Sequence, residues 1–135
     1  MKIVYGPKGT GKTKIVIDEA NALIESAKGH VVFITDTNRY MYDLKNQIRF
    51  INLSEYEVAT EESLAGFVKG IVAANYDNEY IYVDGIARIT NKPLGELESF
   101  FALVETLEKN SSANFVFTCS ADKAELPEFL KKYAE

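Results

Sequence analysis

The sequence predicts an α/β fold, a three-layer sandwich in which helices cover both faces of a mainly parallel sheet of four to five strands. Three observations carry this expectation. Short β-rich runs alternate with longer amphipathic stretches, the pattern that builds strand–helix–strand units. One of those runs, VVFIT at 31–35, is continuously apolar, as a strand covered on both faces requires. The 135 residues, 47% hydrophobic and 26% charged, suit one domain within the usual range of ~100–200 residues, with enough apolar surface for a core.

The elements follow in order. Residues 2–5 (KIVY) form a first strand that ends at Gly6. From Gly11, the apolar residues Val16, Ala20, Leu23 and Ala27 recur at spacings of four and three, a helix stopped by Gly29. The run 31–35 is the second strand, followed by the polar segment DTNRYMYD. Residues 48–53 (IRFINL) read as a strand near a sheet edge, its direction left open. Thr60 with Glu61 and Glu62 marks a helix start, and Leu64, Phe67, Ile71 and Ala74 form its apolar face.

YIYV at 80–83 is a further strand, closed by Asp84 and Gly85. Pro93 fits a first helical turn, with Glu96 and Glu98 near the positive end of the helix dipole. Leu94, Leu97, Phe101, Val104 and Leu107 supply that helix with an apolar stripe. The run EKNSSAN reads as a loop, FVFT at 115–118 as the last strong strand, and 127–133 as a short helix. A parallel sheet of this kind binds ligands at the carboxyl ends of its strands, so the polar residues after each strand hold the chemistry.

Composition narrows the function classes. Fifteen basic against twenty acidic residues give a net charge of -5, so nucleic acid is not an expected partner. The single cysteine, Cys119, cannot form an intramolecular disulfide, and with His30 it is too few ligands for zinc. Cys119 reads as a small core or loop thiol, and His30 as a helix-end or solvent-facing residue. No stretch approaches the ~20 apolar residues of a membrane span. No signal-peptide pattern opens the sequence. A single cytoplasmic domain is the expectation.

The segment after the first strand, GPKGTGKT at 6–13, satisfies the pattern G-x-x-x-x-G-K-[ST]. Its spacing has a physical reason. The chain must fold around a phosphate so that successive backbone N–H groups point inward. Gly6, Gly9 and Gly11 permit that close approach, while Pro7, Lys8 and Thr10 complete the loop. The helix that follows presents unpaired N–H groups and a partial positive charge to the same anion. Lys12 would reach the β- and γ-phosphates, and the Thr13 hydroxyl would ligate Mg²⁺. By chance the pattern arises in only roughly one chain of this length in a few hundred, and here it lies between a strand and a helix.

These residues resemble the Walker A motif of the P-loop NTPases. YIYVD at 80–84 is similar to the family's Walker B motif, in which an aspartate, here Asp84, holds Mg²⁺ through a water. The loop is similar to that of the RecA-like and AAA-type branch, which inserts a strand between the two Walker strands. That resemblance implies the strand at 115–118 lies between those at 2–5 and 80–84. It also implies a polar sensor residue among Thr118, Cys119 and Ser120. The layout further resembles small single-domain bacterial ATP-binding proteins of unassigned role, some of which carry labels from twitching-motility ATPases.

Departures from the family shape the functional expectation. Gly85 stands where many of these ATPases carry a catalytic glutamate, and the sequence after 118 leaves no room for a helical lid. No N-K-x-D motif for guanine is present. RecA-like ATPases sometimes place the carboxylate after the second strand, which makes Asp36 the candidate polariser beside Lys12, and a turn residue in TDTN otherwise. Arg39 and Arg88 follow strands and are candidates to meet phosphate or a neighbouring subunit. The resemblance implies Mg²⁺-dependent ATP binding with slow or partner-stimulated hydrolysis. The alternatives are a nucleotide-sensing or assembly module without hydrolysis, and a small-molecule phosphotransferase. A protein partner or self-association through a sheet edge is compatible with each.

Overall fold

The computed structural model of the chain describes residues 1–134. Its sheet places the most continuously apolar strands at the centre and the shorter or more polar ones outside. The strands are β1 (Lys2–Gly6), β2 (His30–Thr35), β3 (Arg49–Asn52), β4 (Asn78–Asp84) and β5 (Asn114–Ser120), in the order β1-β5-β4-β2-β3. All four strand pairings are parallel. Val31, Val32, Phe33 and Ile34 are each no more than 2% exposed, as an unalternating apolar run demands. β5 lies between β1 and β4, as the resemblance implied. The segment at 48–53 resolves into a parallel edge strand of four residues.

Among the described residues five α-helices complete the layers: α1 (Lys12–Leu23), α2 (Glu61–Ala74), α3 (Ile86–Thr90), α4 (Glu98–Lys109) and α5 (Glu128–Lys131). The two faces are unequal. On one, Val16, Ile17 and Ala20 of α1 pack against Val31, Phe33, Tyr82 and Val116. On the other, residues of α2, α3, α4 and α5 meet Val32, Ile34, Ile81, Val83, Phe115 and Phe117. The alternation of side chains along each strand divides the two sets. No helix among the described residues is long and apolar enough to cross a membrane.

Four sequence expectations change. The helix expected to begin at Pro93 is a 3₁₀ turn at Leu94–Glu96 followed by α4 from Glu98. Leu97 breaks the two apart, with φ -105° and ψ 19° and its side chain wholly buried. α4 runs on through Lys109, so the loop expected over 108–114 is shorter, and Asn114 already belongs to β5. α1 ends at Leu23, with Ala27 N–H closing a turn onto the Leu23 carbonyl at 2.7 Å. The helix over 127–133 contracts to Glu128–Lys131. Helix α3 was not expected at all.

Strand register positions the site. Gly6 stands opposite Ser120, and Asp84 opposite Thr118, so the carboxyl ends of β1, β5 and β4 lie nearly level. On the α1 face this brings the loop after β1, the hydroxyl of Thr118 and the carboxylate of Asp84 together.

Candidate functional site

The loop at 6–13 turns into α1 through Gly11, whose φ of 82° is open to glycine and strained for other residues. Thr10 Oγ1 donates to the Pro7 carbonyl at 2.6 Å, and Lys12 Nζ donates to the same carbonyl at 3.0 Å. No side chain caps the α1 N-terminus and its first turn holds no acidic residue. It holds Lys12 and Lys14 instead, whereas α2 opens on Glu61 and Glu62 and α4 on Glu98. Cations at this end oppose the helix dipole, so helix stability does not account for them. Uncapped N–H groups beside cations form an anion-binding arrangement.

Asp84 ends β4 at 3% exposure. Thr13 Oγ1 lies 3.2 Å from each of its carboxylate oxygens. Thr118 Oγ1 donates to Asp84 Oδ1 at 2.8 Å and accepts from the Gly85 N–H at 2.8 Å. Of the three residues named as possible sensors, Thr118 touches Asp84 and Ser120 lines the cleft described below. Cys119 packs into the opposite core, where burial pushes its thiol up to about 12. His30 is an exposed strand residue whose N–H donates to the Asp77 carbonyl at 2.7 Å.

After Asp84 the chain turns through Gly85, at φ 88°, into α3. A Cβ at Gly85 would fall on the Arg88 guanidinium, so glycine at 85 and arginine at 88 form one local unit. Arg88 reaches across to the end of β2. Its Nε lies 2.9 and 3.1 Å from the two Asp36 oxygens, and its Nη2 2.9 Å from Asp36 Oδ1. Nη2 also lies 3.3 Å from the Asp84 carbonyl oxygen and 3.9 Å from Asp84 Oδ2. Hydrogen bonding to Asp36 raises the Arg88 pKa, with burial acting against it. Asp36, the candidate polariser, is thus paired with Arg88 in a two-pronged bridge.

The loop, Thr13, Asp84, Arg88 and Thr118 open onto a cleft of about 850 Å³, and Asp36 meets it only through Arg88. Five cations line it (Lys8, Lys12, Lys14, Arg39 and Arg88) against the carboxylates of Asp18, Asp43 and Asp84. The cleft is cationic in a chain of net charge -5. Arg39 lies over the Tyr40 ring, 5.4 Å from its centroid. Tyr40, Asp43 and Asp18 were not singled out in the sequence. Asp18 stands five residues beyond Thr13 on α1, while Tyr40 and Asp43 arrive through a segment whose path no periodicity describes.

No cluster of three or more His, Cys, Asp and Glu side chains among the described residues could hold a metal unaided. The hydroxyl of Thr13 and the carboxylate of Asp84 are hard oxygen donors, which suit Mg²⁺ with waters and ligand oxygens completing its shell.

No protein-family model matches the chain, and no curated protein sequence matches it. Its fold is similar to the crystal structure of the flagellar accessory protein FlaH from Methanocaldococcus jannaschii. The two share 16% sequence identity at a TM-score of 0.58, over 96% of this chain and 64% of FlaH. The chain therefore spans less than two thirds of that protein's length, and the likeness is one of fold.

Proposed function

We propose that the chain binds a nucleoside triphosphate, read as ATP, together with Mg²⁺, and hydrolyses it slowly or on stimulation by a protein partner or by self-association. The observation that carries the reading is the convergence of Thr13 Oγ1 on both oxygens of Asp84, at 3.2 Å, beside the uncapped start of α1. The loop amides and the Lys12 ammonium bind the phosphate chain. Thr13 and Asp84 would hold the Mg²⁺, Asp84 through a water. When bound, the cation neutralises charge on the phosphates and orients them. Thr118 fixes the Asp84 carboxylate through its hydroxyl. Attack by water is in line with the leaving oxygen, so the protein contributes positioning and electrostatics more than covalent chemistry.

Slow turnover follows from Gly85. Residue 85 is a glycine in the left-handed region, at φ 88°, so no carboxylate stands one residue after Asp84. The same observation favours the second reading, a nucleotide-dependent assembly module without useful hydrolysis. Incubation with Mg-ATP and measurement of ADP tests for intrinsic hydrolysis. ADP that forms and is abolished by Lys12→Ala supports slow intrinsic hydrolysis. Nucleotide retained with no ADP supports the second reading or the partner-stimulated form of the first, and no nucleotide bound overturns both.

A further inference from the structure

We infer that the chain forms a two-fold dimer through the β3 edge of its sheet and the groove beside it. This surface is separate from the cleft: the cleft opens on the α1 face, whereas Arg49 and Ile51 stand beside Val32 and Ile34 on the α2 face. The inference therefore does not depend on what the cleft binds.

β3 ends the sheet, with β2 on one side and no strand on the other. Among the described residues, no backbone hydrogen bond outside that pairing reaches Arg49, Phe50 or Ile51. The opposite edge differs, since β1 is met at Ile3 by the Tyr133 carbonyl and at Gly6 by Ala121. An open edge is a template for another strand. Beside β3 lies a groove of about 300 Å³, walled by Ile51, Phe67, Ile71 and Ala74. Tyr56 stands at its lip, 6.1 Å from the Phe67 ring between centroids and still 55% exposed. The turn that presents Tyr56 runs through Glu57 at φ 57°, a conformation that strains a residue other than glycine. The adjoining flank of α2 carries Gly66 and Gly70, both exposed, and no other part of the molecule comes within 4 Å of a Cβ at either position. Glycine weakens a helix interior, and here it leaves the side of the groove open to close approach.

The charges identify the occupant as a second copy. Arg49 begins β3, and Glu55 and Glu57 follow it. All three are exposed, and none enters an ion pair among the described residues. A second β3 laid antiparallel, about a two-fold axis at Ile51, brings each Arg49 beside the other copy's Glu55 and Glu57. Such a pairing is isologous and closes at two chains. It adds main-chain hydrogen bonds to both open edges and covers both Tyr56 rings. Tyrosine and arginine are the residues that most often carry the energy of an interface. Four residues of strand are few, so the groove supplies the rest of the contact.

Sedimentation velocity without nucleotide, over about 5 to about 500 μM chain, tests the inference. The wild type should pass from monomer to dimer across that range. Arg49→Glu sets like charges against one another and should raise the dissociation constant by about tenfold or more. Glu55→Arg combined with Glu57→Arg should do the same with the opposite sign. Mixed in equal amounts, those two weakened chains should dimerise with each other, an outcome that misfolding cannot produce. Gly70→Gln should disfavour the dimer by its bulk while the monomer melts no earlier, because glutamine is the better helix former. A wild type that stays monomeric throughout overturns the inference and leaves the groove to another occupant. A dimer indifferent to these substitutions uses another face and overturns it too.

Discussion

Thr118 makes two hydrogen bonds from one buried hydroxyl, to Asp84 Oδ1 and from the Gly85 N–H, each at 2.8 Å. Thr118→Val preserves shape and removes both. The part-buried Gly85 N–H then loses its partner, and Asp84 loses one restraint. The expected cost is about 1–3 kcal/mol, seen as a lower urea midpoint at an unchanged slope. Thr118→Ser should recover most of it, and a variant as stable as the wild type would show that water replaces the hydroxyl. The site's local parts were readable in the sequence because their spacing is fixed along the chain: the loop at 6–13 and the aspartate closing a strand. The Asp36–Arg88 bridge was not. Both residues stand out separately, but 52 positions separate them, and their contact exists only because β2 lies beside β4.

At the scale of elements, α4 is anchored by aromatic rings. Phe101 meets Phe117 with centroids 5.0 Å apart at 72°, and Phe100 meets both Phe101 and Phe117 edge-on at 5.5 and 5.9 Å. Edge-to-face packing of this kind adds about 0.5–1.5 kcal/mol per pair beyond area burial. Phe101→Ala leaves a cavity between α4 and β5 and should cost about 3–5 kcal/mol, measured by denaturant unfolding, with Phe101→Leu well below that. A loss under about 1 kcal/mol would mean the helix collapses into the space. Phe101, Val104 and Leu107 of the predicted stripe lie on α4 and pack into this core, which is why the body of the helix was legible, whereas Phe100 was not part of that stripe. Its start was not, because Pro93 and the glutamates fit a first turn equally well whether it is α or 3₁₀. α3 escaped because five residues are too few to display a helical period. It begins at a left-handed Gly85, which is not a pattern in sequence.

Across the whole molecule, residues near the end of the described chain tie the first strand to α4. The Ile3 N–H donates to the Tyr133 carbonyl at 3.0 Å. The Tyr133 hydroxyl donates to Glu105, and Lys132 Nζ lies 3.4 Å from the same carboxylate. The Tyr133 hydrogen bond, with help from Lys132 and against burial, holds Glu105 below its ordinary value of 4.5. The same bond holds Tyr133 above its ordinary 10.0. The signs follow by linkage. A depressed carboxylate contributes stability that is present above pH 4.5 and disappears as pH falls through the folded value. A raised phenol contributes stability present below pH 10.0 and lost as pH rises through its folded value. The tie is therefore strongest between those limits. Both side chains are partly exposed, so the effect is modest and weakens with salt. Glu105→Gln keeps an acceptor for Tyr133 and removes the charge. Urea midpoints at pH 3 and pH 7 should show the variant less stable than the wild type at neutrality, with the gap closing in acid. A gap of the same size at both pH values would show that Glu105 acts through its shape and neutral hydrogen bonding, leaving its ionisation unlinked to the fold.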